Sequence, residues 1–242
     1  PVAGSIFGSK TITIDTAAPT LSEDTVVSTP SNDTTPSVVI SSNEAGTITS
    51  SLGISSTTSG ISGDNTITFN ALDAGTYTPT VTFTDVSGNE STVTLTSFVI
   101  DTAAPTVSSF TTSTSSGSYN QAEEIVITAN TTESVQSGNT ITVTLDTSDT
   151  VLLTAASTGT TLVGTYTVGS GDTSAGLTVS SFAIGTVADT AGNAMTSTTL
   201  PVAGSIFGSK TITIDTAAPT LSEDTVVSTP SNDTTPSVVI SS

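Results

Sequence analysis

The chain contains an internal repeat without a single mismatch. Residues 1–42 and residues 201–242 are identical, so the sequence starts again after 200 residues. A shorter motif, IDTAAPT, occurs at residues 14–20, 100–106 and 214–220. A fixed period of this kind is typical of proteins built from successive similar units. The sequence therefore predicts a tandem array of domains, and we call the three copies of the short motif the joints.

The residues around each joint indicate where one domain ends and the next begins. A run of alternating threonine and apolar residues, TITI, precedes two of the joints, at residues 11–14 and 211–214. Such alternation is typical of a β-strand with one buried face. The proline inside each joint cannot donate to a central strand ladder. Each joint is therefore interpreted as the last strand of one domain, an acidic linker and the first strand of the next.

The composition favours an all-β fold. Thr, Ser, Val and Ile dominate, and clusters of Gly, Asn and Asp separate short apolar runs, as in β-proteins. The spans between joints suit single immunoglobulin-like sandwiches, which have about 100 residues. The predicted fold class is all-β, with tandem immunoglobulin-like β-sandwiches in an elongated array.

The joints also predict the domain boundaries. Residues 1–14 are expected to be the closing strand of a preceding domain, 15–100 a first domain type, 101–214 a second domain type, and 215–242 the opening strands of a following domain of the first type. The sequence is therefore expected to begin and end in the middle of domains.

Alternating segments predict the strands within the two complete domains. The predicted strands lie near residues 25–28, 37–42, 47–52, 66–70, 76–84 and 92–100, and near 107–112, 124–130, 140–146, 150–156, 162–168, 177–187 and 194–214. Gly204 and Gly208 fall inside the last stretch, which is therefore expected to bend or bulge. Tyr77 fits either a tyrosine corner or a side chain half-buried on a strand.

The charge of the chain excludes several kinds of partner. Only two Lys or Arg residues balance 21 Asp and Glu residues, giving a formal net charge of −19. This excess repels nucleic acid and anionic membranes, and no apolar run is long enough to span a bilayer. We therefore expect no nucleic-acid partner and no direct membrane insertion. Metal cations are the natural counter-charge.

The residue types present also argue against catalysis. The sequence has no His and no Cys, so the usual general base, the thiolate nucleophile and the soft metal ligands are absent. Two carboxylates suffice for a glycosidase, but only 4% of the residues are aromatic and could stack on a sugar. An enzyme is therefore ranked below a binding or structural protein.

Several short motifs carry a family resemblance. DVSGN at residues 85–89, DTAGN at 189–193, SNEAGT at 42–47 and TESV at 132–135 occur in the same order relative to the joints in both domains. In this order they resemble the bacterial immunoglobulin-like repeats of very large surface adhesins. The resemblance implies an extracellular stalk that extends a fibre from the bacterial cell surface and is stiffened by calcium.

The topology of an immunoglobulin-like sandwich predicts where the acidic residues meet. The loop between the second and third strands, the loop before the last strand and the entry of the chain lie at one end. In the first domain type this end should gather Asp15, Glu44 and Asp85. In the second domain type it should gather Asp101, Glu133 and Asp189. Asn89 and Asn193 follow the late-loop aspartates at the same spacing, and Asp215 opens a third such set.

Calcium is the cation that fits such a set. It takes 6–8 oxygen ligands from flexible loops at about 2.3–2.6 Å, whereas magnesium demands tighter geometry and zinc prefers His or Cys. Three crowded carboxylates repel one another unless a cation neutralises them. Each loop taken singly could instead be an ordinary Asx turn with a left-handed glycine. A second calcium at the opposite end, using Asp73 or Asp172, is an alternative without support from a motif.

These observations lead to one functional prediction and two alternatives. The chain is predicted to be an extracellular structural repeat that forms a calcium-stiffened stalk, with neighbouring repeats of the same chain as partners and other surface fibres as further candidates. The first alternative is a subunit of a self-assembling surface filament or layer, which could recruit strands from neighbouring molecules. The second is a calcium-dependent glycan-binding module.

Overall fold

The computed structural model describes residues 13–202, 204–224, 234–235 and 237–241. In this part of the chain every regular element is a β-strand, and there is no helix. The described residues form two compact units. The first lies within Pro1–Pro105 and Ala188–Met195, and the second within Thr106–Val187 and Thr196–Ser242. Among the described residues, no helix has the length and hydropathy needed to cross a membrane.

The first unit is a sandwich of short strands. They are β1 (Leu21–Thr25), β2 (Ser37–Ser42), β3 (Gly46–Ser50), β4 (Ser59–Gly60), β5 (Gly63–Thr68), β6 (Gly75–Tyr77), β7 (Thr80–Asp85), β8 (Glu90–Thr94) and β9 (Phe98–Ile100). One sheet has the order β1-β2-β5, a second has the order β4-β3-β7-β8, and β6 pairs with β9. Every second residue of β2 and of β7 is buried. Their inward side chains, among them Ile40 and Phe83, form one core with residues of β3, β5 and β9. The all-β prediction is confirmed.

The second unit is organised around a larger sheet. Its strands are β10 (Val107–Thr111), β11 (Gly117–Tyr119), β12 (Glu124–Val135), β13 (Thr140–Leu145), β14 (Thr150–Thr154), β15 (Gly159–Thr167), β16 (Thr173–Ser174), β17 (Val179–Thr186) and β18 (Ile212–Asp215). Six of them form a sheet with the order β10-β12-β15-β14-β13-β17, and three form a sheet with the order β11-β18-β16. Among the described residues, β19 (Ser222–Glu223) and β20 (Ile240–Ser241) form a separate two-stranded sheet.

The predicted long strand at residues 194–214 is largely wrong, because β18 is the only strand among the described residues of this stretch. The predicted bend is present: Gly204 and Gly208 have φ angles of +92° and +60°, which are accessible to glycine at little cost. This irregular segment is nevertheless fastened to the second unit. The Lys210 ammonium donates to the main-chain oxygens of Thr112 and Thr114, both at 2.8 Å.

Other predicted strands differ at their ends. The strand predicted at residues 37–42 coincides with β2, whereas the one predicted at 25–28 lies earlier, as β1. The strand predicted at 76–84 is divided into β6 and β7, on either side of Pro79, which has no N–H for a ladder. Tyr77 combines both proposed roles. It is half-buried on β6, and its hydroxyl donates to the main-chain oxygen of Asp73 at 2.9 Å, as in a tyrosine corner.

The repeated sequence provides an internal comparison of burial. The pairing Glu223↔Ile240 in β19 and β20 repeats the pairing Glu23↔Ile40 in β1 and β2. Ile40 is 0% exposed, but Ile240 is 60% exposed. In the first unit β2 also pairs with β5, and this pairing contributes to the burial of Ile40.

The first unit includes a loop that the sequence assigns to the second domain type. Within this unit, the N–H of Asn32 donates to the main-chain oxygen of Ala191 at 3.1 Å. The compact units otherwise divide close to the joint at residues 100–106. The predicted domain boundaries stay predictions.

Candidate metal centre

All three joint aspartates have the same local geometry. The N–H of the residue two positions later donates to Oδ1 of Asp15, Asp101 and Asp215, at 3.1, 3.0 and 3.0 Å respectively. This is an Asx turn, which short acidic side chains form with their own backbone. One carboxylate oxygen of each joint is thus held by the chain itself.

The late loop of the first unit is a tight turn around a carboxylate. Oδ1 of Asp85 accepts the N–H groups of Ser87 and Asn89, both at 2.8 Å. Gly88 has a φ angle of +92°, in the left-handed region. Both the predicted Asx turn and the left-handed glycine are therefore present. They fix the Asp85 side chain at the end of β7.

The early loop is brought against the late loop by a close approach of two strands. Gly46 lies opposite Asp85 in the β3–β7 register, and a Cβ atom at Gly46 would collide with the main-chain oxygen of Thr84. Glycine is therefore required at the start of β3. Glu44 precedes it by two residues, and the Ser42 hydroxyl fixes the loop by donating to the main-chain oxygen of Glu44 at 2.7 Å.

These loops place three carboxylates together in the first unit. Asp15, Glu44 and Asp85 each offer an oxygen, and the three oxygens lie within 4.8 Å of one another. Asp85 is buried with 7% exposure, Glu44 is half-buried and Asp15 is exposed. The predicted convergence of these side chains is thus observed. We call this group the acidic triad.

The corresponding residues of the second set are divided between the two units. Asp101, Asp189 and Asn193 belong to the first unit, and Glu133 belongs to the second. The loop of Glu133 is built like that of Glu44, because the Thr131 hydroxyl donates to the main-chain oxygen of Glu133 at 2.6 Å. A hydroxyl residue therefore lies two positions before the glutamate in both loops. This spacing is a sequence signal for the loop in addition to the predicted motifs.

The remaining predicted ligand, Asp215, lies at the end of β18. It pairs with Thr173 in the β16–β18 register. Within the described residues it is not part of a group of three carboxylates. Its role as a ligand stays a prediction.

The late-loop aspartates are held in their ionised form. The hydrogen bond from the Asn89 side chain lowers the pKa of Asp85 below its ordinary value of 3.8, and backbone N–H donors add to it against the opposing effect of burial. For Asp189, burial raises the pKa, but the side chain and N–H of Asn193 with neighbouring N–H groups outweigh it, so the net pKa is lowered. Crowding alone would have raised these pKa values.

These shifts predict a stability change on acidification. A folded-state pKa below the unfolded value means that each group stabilises the fold above the unfolded pKa, about 4. This stabilisation is lost as the pH falls through the folded-state pKa. Thermal unfolding followed from about pH 5 to pH 2 should show a falling midpoint. The Asn89→Ala variant should show a shallower fall, and an identical slope in both proteins would contradict this assignment.

Asp172, one of the two acids considered for a second site, is hydrogen-bonded to a buried tyrosine. The buried Tyr166 hydroxyl donates to Oδ2 of Asp172 at 2.6 Å, and the Gly169 N–H donates to the same oxygen. Burial, followed by the Asp172 bond, raises the pKa of Tyr166 above its ordinary value. The Tyr166 bond lowers the pKa of Asp172. The main role of Asp172 is to satisfy a buried tyrosine.

The acidic triad fits a hard divalent cation. Two oxygens bound to one calcium ion lie about 2.3–2.6 Å from it, so they are at most about 5 Å apart. The 4.8 Å limit within the triad meets this requirement. All donors are carboxylate oxygens, which suit calcium and do not suit zinc or copper. Asp15, Glu44 and Asp85 are the residues that would hold the ion.

Comparisons with known proteins identify part of the chain. Residues 10–102 match the family model described as a bacterial Ig-like domain. No curated protein matches the sequence. The chain is also similar to a solved structure of fibronectin(III)-like modules of CbhA from Clostridium thermocellum, with 13% identity over 81% of this chain and 94% of that chain. The TM-score of this match is 0.30.

Proposed function

Since residues 10–102 form a bacterial Ig-like domain, we propose that this chain is an extracellular structural repeat, part of a calcium-stiffened stalk on the bacterial cell surface. The stalk would belong to a large adhesin or fibre. Neighbouring repeats of the same chain are the proposed partners. Bacterial Ig-like domains are typically non-catalytic, and we assign this chain no catalytic role.

The acidic triad is the observation that carries this proposal. Asp15 lies in the joint, whereas Glu44 and Asp85 lie on two loops of the sandwich that follows it. A cation bound to all three would tie the joint to the sandwich. The same ion would neutralise three carboxylates in a chain with a net charge of −19.

Metal binding would also stabilise the fold by mass action. A ligand that binds only the folded state adds RT ln(1 + [L]/Kd), about 2.7 kcal/mol at a hundredfold excess over Kd. Interfaces between domains of one chain are usually modest, so unclamped neighbours are expected to move relative to each other. The stalk would therefore be stiff in calcium-rich surroundings and compliant without calcium.

Small-angle scattering with calcium and with a chelator tests this proposal. When calcium is present, the maximum dimension of the full chain should increase. The range of chain dimensions in the ensemble should become narrower. Magnesium at the same concentration is the matched control, because it separates specific binding from charge screening. An unchanged maximum dimension in calcium would contradict the stiffening mechanism.

A further inference from the structure

Asn89 and Asn193 approach the carboxylates with their amide nitrogens. The Asn89 Nδ2 atom lies 2.8 Å from Oδ2 of Asp85 and 3.3 Å from the main-chain oxygen of Asp15. The sequence predicted both asparagines as metal ligands. An amide nitrogen presents two hydrogens and no available lone pair, so it cannot bind a cation, whereas the ligand role of the amide oxygens stays a prediction. The two acceptors use both hydrogens.

The same arrangement occurs a second time in the first unit. The Asn193 Nδ2 atom lies 2.9 Å from Oδ2 of Asp189 and 2.9 Å from the main-chain oxygen of Asp101. In both cases one amide group joins a joint aspartate to the late-loop aspartate of the motif Asp-x-x-Gly-Asn. The same pair of hydrogen bonds recurs at two joints whose flanking residues differ. This recurrence indicates a structural role for the two asparagines.

We infer that Asn89 and Asn193 are positioning residues that hold each joint to its late loop without metal. We call this pair of hydrogen bonds the amide clasp. One hydrogen bond of the clasp is to the main-chain oxygen of the joint aspartate. This oxygen does not titrate, and its hydrogen bond does not depend on a bound cation. The other end of the clasp is Oδ2 of the late-loop aspartate.

The amide clasp changes the expected behaviour of the joint after chelation. Each asparagine makes one hydrogen bond to a carboxylate and one to a main-chain oxygen, and hydrogen bonds to charged groups contribute more than neutral ones. Removal of calcium would therefore release the carboxylates but leave the joint backbone attached. The inference does not rest on calcium binding, because every contact in it is made by the protein alone.

Asparagine-to-alanine variants of the full chain test the amide clasp, each serving as the control for the other. In chelator, Asn193→Ala should accelerate backbone amide exchange at residues 102–104 by about tenfold, the order expected for the loss of a hydrogen bond to a charged group. It should leave residues 16–18 unchanged. Asn89→Ala should do the reverse. Unchanged exchange among the core strands would show that both variants remain folded.

Asn193→Asp distinguishes a clasp from a ligand. An aspartate removes the donor but offers a better calcium ligand. A clasp predicts faster exchange of the joint in chelator, as for Asn193→Ala. A ligand predicts tighter calcium binding and unchanged exchange in chelator, and this result would overturn the inference. Failure of the wild-type chain to bind calcium would remove the proposed stiffening but would leave the exchange result to decide the amide clasp.

Discussion

Replacing Ile40 with Asp is expected to unfold the first unit, whereas the same replacement at Ile61 is expected to have little effect. Both residues belong to the first unit, but Ile40 is 0% exposed and Ile61 is 60% exposed. An unpaired carboxylate in the core at Ile40 should cost about 4 kcal/mol or more. At Ile61 the change should stay within about 0.5 kcal/mol.

Scanning calorimetry of the two variants and the unmodified chain measures this difference. The transition of the first unit should be lost or strongly lowered in Ile40→Asp and retained in Ile61→Asp. Both variants introduce the same charge into the same unit, so the comparison isolates the effect of burial. Equal losses of stability would contradict the assignment of Ile40 to the core.

Replacing Glu44 with Gln is expected to remove one class of bound calcium. The change keeps the size of the side chain, and Glu44 is one of three carboxylates in the acidic triad. Loss of residues that only support metal ligands typically lowers affinity 10–100-fold, so loss of a ligand should lower it at least about tenfold. Isothermal titration calorimetry should record both the weaker affinity and the smaller number of ions.

Glu90→Gln is the matched control for this experiment. Glu90 is exposed on β8 and lies outside the acidic triad. Both variants remove one negative charge, so long-range attraction of cations falls equally. A selective effect of Glu44→Gln supports a specific site, and equal effects would mean that calcium merely screens an acidic surface.

The sequence predicted strands best where alternation was uninterrupted. The predicted strand at residues 37–42 coincides with β2, in which Val38 and Ile40 face the core and Val39 lies on the other face. Alternation could not reveal β11 or β16, which are short and polar and become strands only by pairing with β18. The prediction also failed at residues 194–214. The left-handed backbone at Gly204 and Gly208 interrupts the strand that the sequence pattern predicted there.

The candidate site was predictable to the level of its elements. Topology placed Asp15, Glu44 and Asp85 at one end, and the structure brings their oxygens within 4.8 Å. Which atom of Asn89 faces them could not be derived, since an amide offers a donor and an acceptor on the same carbon. That choice depends on the backbone oxygen of a residue 74 positions away.

The parallel pairing of β11 with β18 has a mechanical consequence. In the second unit, Gly117 pairs with Ile212 and Tyr119 pairs with Ile214. In the first unit, Ser31 and Ile100 form a parallel bridge of the same kind. Tension applied through the two joints would pull these neighbours in opposite directions along their own axes. The hydrogen bonds between these parallel neighbours would then be loaded in shear at the same time. They would have to break together before the domain could extend.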